Sequence, residues 1–285
     1  MRARRGEVAI ERALLLLALS AVLMLGLIAV FIFLQGLPIM VKHGPGSFLF
    51  GTRWAPTKGG FGLLPMIASS VIVTLGAMVI AVPLGLSCAI FLSEIAPRRV
   101  ANFVRPAIQL LAGIPSVVFG FIGILIVVPL IRNYLGGPGL SVLAATIILG
   151  IMVLPTLISI AEDAIEAVPR PYKEGAMALG CTHSQAIFGV MLPAARGGIL
   201  AAVILAMGRA VGETMAVIMV IGNAAIVPQS PLDPARTLTS NIALEMGYAA
   251  GEHQQALFAT GVVLFVFIML LNSIATLRVV RGDRR

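Results

Sequence analysis

Six stretches of this chain are each apolar enough and long enough to cross a lipid bilayer: residues 13–34, 66–92, 107–131, 141–160, 197–222 and 256–279. A hydrocarbon core about 30 Å thick takes about 20 residues of helix. Inside it the backbone must satisfy its own hydrogen bonds, which leaves helices or a closed barrel, and runs of this length fit helices. Composition agrees. The chain is 59% hydrophobic and 11% charged, where a soluble domain is about 25% charged. A soluble core cannot hide that much apolar surface, but lipid can. The expected fold is an all-α integral membrane protein with six transmembrane helices. Pro83, Pro115, Pro129 and Pro155 fall inside the apolar runs and predict kinks, which a packed bundle tolerates.

The first run, Ala13 to Leu34, follows Arg2, Arg4 and Arg5. It is longer than the apolar core of a signal peptide, about 7–15 residues, and no small-residue cleavage site closes it. It reads as an uncleaved first helix. Basic residues set the orientation. On one side fall Arg2, Arg4, Arg5, Arg12, Arg98, Arg99, Arg105, Arg170, Lys173, Arg196, Arg278, Arg281, Arg284 and Arg285. On the other fall Lys42, Arg53, Lys58, Arg132 and Arg236, with Arg209 left within the membrane. The bias predicts that both termini are cytoplasmic. The division expected is a cytoplasmic segment over 1–12, a first helix and outer loop over 13–65, a core transmembrane unit over 66–279 and a basic tail over 280–285.

Several functions are excluded. The net charge is +8, but the basic residues lie in short turns between apolar runs, so no nucleic-acid surface forms. Cys88 and Cys181 make no disulfide or metal pair, and His43, His183 and His253 are far apart, so no metal site is expected. Lys42, Lys58 and Lys173 all lack a preceding Gly, so there is no phosphate-binding GK[ST] loop. There is no HExxH and no membrane-embedded aspartate pair. The chain is not expected to be an enzyme.

Two features point to a function. The long inner loop, about 161–196, is polar through Glu162, Asp163, Glu166, Arg170, Lys173 and Glu174, yet spaces apolar residues for one helix face. A short amphipathic helix pair at the cytoplasmic surface is predicted there. Within it stand Glu174-Gly175-Ala176, then Gly180, then Val190, Leu192 and Pro193. The second feature is Arg209 with Glu213, inside an apolar run. An Arg at that depth costs about 2.5–3.5 kcal/mol on insertion scales, so it faces a bundle interior or a watery cavity. Their i,i+4 spacing predicts one shared helix face. Gly208 and Gly212 form a GxxxG that lets another helix approach. An ion pair that only orients the helix is one reading; contact with an anion in transit is the other, since a guanidinium makes paired bonds to oxyanions.

The loop pattern resembles the EAA signature of ABC-importer permeases, with Gly175 and Val190 as mild departures. Phe61-Gly62-Leu63-Leu64-Pro65, Phe91 to Pro97, Leu110 to Gly120 and Gly208 to Val217 resemble the PstC-type permease subunits of bacterial phosphate-specific ABC importers, over nearly the whole chain from about residue 50. Gln109 stands where Glu is expected in that family. The resemblance implies a type I ABC importer (MetI-like) permease fold that forms half of a membrane pathway for inorganic phosphate. It implies as partners a PstA-like sister permease, two PstB-like ATPase subunits holding ATP and Mg, and a PstS-like phosphate-binding protein; this chain itself needs no cofactor. It also implies that Arg209 meets phosphate while Glu213 orients it, and that Glu174, Gly175, Ala176, Gly180, Val190, Leu192 and Pro193 form the ATPase coupling loop. The alternatives are a permease for sulfate or molybdate, or a self-sufficient channel or secondary transporter, which leaves the coupling loop without a purpose. Thr237, Thr239, Ser240, Asn241 and Glu245 read as turn and cap residues before they read as an entrance. Pro115 and Ser116 read equally as a kink or as pathway wall.

Overall fold

A computed structural model describes residues 2–282 of the chain, with side chains from 10 to 273. The basic side chains expected at the two ends, Arg2, Arg4, Arg5 and those from Arg278 onward, lie outside the described residues. Among the described residues six helical segments are long and apolar enough to cross a membrane: Ile10–His43, Leu64–Ile95, Ser116–Tyr134, Val142–Glu166, His183–Gly212 and Glu252–Ser273.

The first helix, α1 (Arg2–His43), leads through a short α2 (Pro45–Phe50) and a two-stranded hairpin, β1 (Trp54–Ala55) with β2 (Gly60–Phe61), into α3 (Leu64–Ile90). A π turn, Phe91–Ile95, ends α3, and α4 (Arg98–Ala112) follows. The expected single run over 107–131 is broken. Pro115 is extended (φ −57, ψ 140) and caps a separate α5 (Ser116–Ile122), which continues through a π turn into α6 (Val128–Tyr134). A proline lacks the amide proton and drives the residue before it out of helical geometry, so the break falls at Gly113-Ile114-Pro115.

The centre of the bundle is α7 (Val142–Glu166). Ser141 starts it by accepting the Ala144 amide proton at 3.2 Å. Most of the apolar length of α7 is buried inside the chain, whereas that of the first span is not covered by the other described residues. α3 packs along one side, with Gly76 against Thr146 and Gly85 against Leu157.

The connection expected at 161–196 is shorter than its polarity suggested. α7 runs to Glu166 because Arg105 of α4 pairs with Glu162 (Nε to Oε1, 2.7 Å) and with Glu166. The carboxylates are neutralised without leaving the helix. α8 (Arg170–Ala178) is the expected amphipathic helix. Its expected companion, α9 (His183–Ala186), is not a separate surface helix: it is the first turn of the fifth span and continues through a π turn, Ile187–Met191, into α10 (Leu192–Gly212). Thr182 and Gln185 close a reciprocal capping box there. α10 packs on α7, with Gly198 against Ala164. Beyond it come α11 (Met215–Val220), α12 (Leu238–Glu245) and α13 (Glu252–Gly282).

α13 returns beside α1. Phe31 meets Phe258 edge to face at 5.5 Å and Phe33 meets Phe265 at 5.9 Å. Between them Gly36 lets the two backbones touch, since a Cβ there would stand 2.7 Å from the Ala259 amide nitrogen. Gly36→Leu is therefore expected to destabilise the chain by about 1–3 kcal/mol through overpacking, read as a lower melting temperature in detergent. Gly26→Leu is the control and is expected to be neutral, because a Cβ at Gly26 meets nothing within 4 Å. At the hairpin end of the bundle a second core gathers Ile39, Phe48, Phe61, Leu63, Met66 and Leu238.

Candidate functional site

Arg209 lies in the last turn of α10, where a cation suits the helix dipole. It is exposed in this chain. Its Nη1 lies 3.5 Å from the Thr156 hydroxyl. Thr156 is 14 residues into α7 and 10 from its end, so Arg209 sits about 21 Å and 15 Å from the two ends of that helix at 1.5 Å per residue. That is mid-depth in the bundle. Among the described residues no carboxylate lies within ion-pair distance of its guanidinium.

Glu213 is not on the same helix face as Arg209. The run expected over 197–222 breaks at Glu213, whose backbone is extended (φ −69, ψ 131). Its Oε1 accepts the Ala216 amide proton at 3.1 Å, and its carbonyl accepts from the Thr239 hydroxyl at 2.9 Å. The carboxylate thus caps α11, a favourable use of negative charge at a helix start, and leaves Arg209 without it. A cavity of about 10 Å³, water-sized at most, lies beside Glu213 and is lined by Ser70, Thr74, Thr237 and Thr239. Beyond their breaks, the third and fifth spans pack on each other: Gly120 of α5 lies under Ala216 and Met219 of α11. Discontinuous helices with breaks at mid-depth are a common way to build a transport site. Pro115 and Ser116 stand at one of these breaks, so the plain kink is replaced by a true interruption.

Among the described residues no helix packs against Gly208 and Gly212. A Cβ at either would meet nothing within 4 Å. The close packing expected at the GxxxG has no partner on the intrachain side, because α10 turns its other face to α7.

At the opposite end of the bundle from the hairpin, α8 stands proud. Glu174 and Gly175 are exposed, and Ala176 is the one buried residue of α8. Tyr172, Met177 and Leu179 are exposed apolar side chains on or just past it. Gly180 has φ 91, the left-handed region that favours glycine, and it ends the helix. Val190 lies on the π turn, and Leu192 and Pro193 open α10.

One cluster was not legible as a site. Glu245, Asn241, Ser240, Thr237 and Thr239 are buried. Thr237 is indeed a cap, accepting from the Ser240 amide at 3.2 Å. Glu245, by contrast, joins Trp54 (Nε1 to Oε2, 2.9 Å), Arg236 (Nη1 to Oε1, 2.5 Å) and His253 (Nε2 to Oε2, 2.8 Å). Arg236 reaches further, to the Asn223 carbonyl and the Asn241 side chain. Burial alone would raise the Glu245 pKa, but the hydrogen bonds from Trp54, His253 and Arg236, with the Arg236 charge, hold it below the ordinary carboxylate value.

Residues 81–281 match the family described as binding-protein-dependent transport system inner membrane component. The chain is 43% identical over 262 residues to the probable ABC transporter permease protein YqgH of Bacillus subtilis, covering 88% of this chain and 85% of that one. It is 37% identical over 289 residues to the phosphate transport system permease protein PstC of Mesorhizobium japonicum, covering 94% and 88%. In fold it is similar to a chain of the MetNI methionine ABC transporter solved in inward facing conformations, with a TM-score of 0.64 at 19% identity over 81% of this chain and 99% of that one.

Proposed function

The chain belongs to the family of binding-protein-dependent transport system inner membrane components, and from that premise we propose that it forms one half of the membrane pathway of an ATP-driven importer for inorganic phosphate. As a permease of this family it is a multi-pass membrane protein and a transport subunit rather than an enzyme, and it works with ATPase and substrate-binding components. In this reading the sister half is a PstA-like permease, two PstB-like ATPases supply the energy, and a PstS-like protein delivers phosphate. Both termini and α8 face the cytoplasm, as the Lys and Arg bias supports. Residues 66–279 form the core unit, and 13–65 add the first helix and outer loop.

The observation that carries the reading is Arg209: mid-depth, exposed in the single chain, and free of any carboxylate partner among the described residues. A guanidinium at that depth is costly toward lipid. It is supported if its face meets a watery pathway shared with the sister subunit. The open flank at Gly208 and Gly212 then meets that subunit as well. Glu213 serves the pathway by holding the break in the fifth span, not by binding Arg209 directly. α8, with Tyr172, Met177 and Leu179 exposed, seats in the ATPase, and Gly180 fixes the turn that joins it to the fifth span.

Phosphate is the cargo best supported, since the similarity to PstC proteins extends over most of the chain. The test is labelled-anion uptake into vesicles holding the assembled complex, with phosphate, sulfate and molybdate compared with and without ATP. ATP-dependent uptake of phosphate is expected, with little of the other two. Uptake of another oxyanion in its place keeps the importer and overturns the cargo.

A further inference from the structure

α8 must pass its motion to the spans, yet it is poorly seated on them. Ala176 is its one buried residue. Beside it opens a cleft of about 520 Å³, lined among others by Ser93, Glu94, Ile165, Glu166, Lys173 and Met191. A helix that buries one side chain beside an open cleft gains little from apolar packing. At the wall of that cleft an ion pair joins α8 to the second span: Lys173 Nζ of α8 lies 2.5 Å from Glu94 Oε2, with His183 Nε2 of α9 at 4.0 Å from the same oxygen. The Glu94 side chain is 8% exposed, so this is a mostly buried carboxylate that depends on its cationic partner.

The position of Glu94 gives the pair a use. It lies on the π turn, Phe91–Ile95, that ends the second span, and such turns recur at functional points of helices. The same span carries Ser70 and Thr74, which line the small cavity beside Glu213. The second span therefore reaches from α8 to the break in the fifth span. The geometry points to Glu94 as a positioning residue: through Lys173 it ties α8 to the second span, so that displacement of α8 moves that span as well as the two spans α8 is joined to in sequence. An exposed ion pair slips at little cost; one whose carboxylate is mostly buried is held more firmly.

This inference rests on the importer reading above, and two measurements separate the two. In the first, phosphate uptake and ATP hydrolysis are measured on the same vesicles holding the whole complex. Glu94→Gln, close in size but uncharged, is expected to leave hydrolysis within about twofold of native while phosphate moved per ATP falls about tenfold, the size of a modest coupling energy. The reversed pair, Glu94→Lys with Lys173→Glu, is expected to regain most of that ratio, while each single reversal does not. An unchanged ratio in Glu94→Gln, or a reversed pair no better than its single members, overturns the inference. In the second, spin labels at Leu179→Cys and Arg98→Cys report the distance from α8 to the end of the second span, with Cys88 and Cys181 replaced by alanine. One distance, the same with and without ATP, is expected with Glu94, and a broad or ATP-dependent distribution with Glu94→Gln. Equal distributions in both overturn the clamp. If the native complex moves no phosphate, the cargo reading fails while the label distances still decide the clamp.

Discussion

Arg209→Gln is expected to lower ATP-driven phosphate uptake by about a hundredfold or more, with the complex still assembled and its melting temperature little changed. The size follows from the chemistry. A guanidinium gives an oxyanion paired bonds, and each charge-assisted hydrogen bond is worth about 1.5–3 kcal/mol. Losing two removes at least about 3 kcal/mol, which is more than a factor of a hundred. Stability should hold because among the described residues Arg209 makes no ion pair and only a 3.5 Å contact with Thr156. Arg209→Lys keeps the charge and loses the planar fork, so an intermediate rate is expected. Loss of assembly in Arg209→Gln makes the residue an orienting contact with the sister subunit. Uptake that survives the change leaves the transporter standing and removes Arg209 from the pathway.

Glu213 tests the division of labour between the two charges. Glu213→Gln keeps an oxygen that can accept the Ala216 amide proton, so its effect is expected to be far smaller than that of Arg209→Gln. Had the two formed one ion pair on one helix, their variants would fail together. The sequence suggested such a pair because the apolar run continues unbroken from 197 to 222. In lipid, composition does not mark a helix break: residues on both sides of it must be apolar. The break at Pro115 was visible only as a proline, and the one at Glu213 only as a charge. Both are resolved by contacts across the chain, such as Thr239 with the Glu213 carbonyl.

What was legible follows the same logic. The six spans and α8 are periodic or apolar over long windows, and Gly180 marks the end of α8 by a conformation that favours glycine. The inner loop was read too long because Glu162 and Glu166 look like loop residues until Arg105, 57 and 61 positions away, neutralises them. The fifth span starts at the Thr182–Gln185 capping box, a local pattern that lay outside the stretch expected over 197–222. Glu245 was hidden for the opposite reason, since its partner Trp54 lies 191 positions away.

Glu245→Ala is expected to destabilise the folded chain by about 3–5 kcal/mol, the usual result of removing one member of a buried ion pair. Arg236, with a side chain 17% exposed, would keep its charge without a carboxylate, and Trp54 and His253 would each lose a partner. The cluster joins the hairpin, the segment before α12, α12 itself and the start of α13, so its loss loosens the whole hairpin end at once. Glu245→Gln keeps one acceptor and is expected to cost less. The pH dependence has a definite sign. The folded carboxyl titrates below its ordinary value of 4.5, so the unfolded chain binds the proton first as pH falls. The stabilisation is fully present above about pH 4.5 and is lost as pH drops through the lower folded value. The melting temperature of the native chain in detergent should therefore fall more steeply below pH 4.5 than that of Glu245→Gln, and the two curves should converge in acid. Parallel curves over that range mean that the carboxylate gains no more from its three partners when folded than it does from water when unfolded, and the hairpin end is then held by its apolar core of Ile39, Phe48, Phe61 and Leu238 alone.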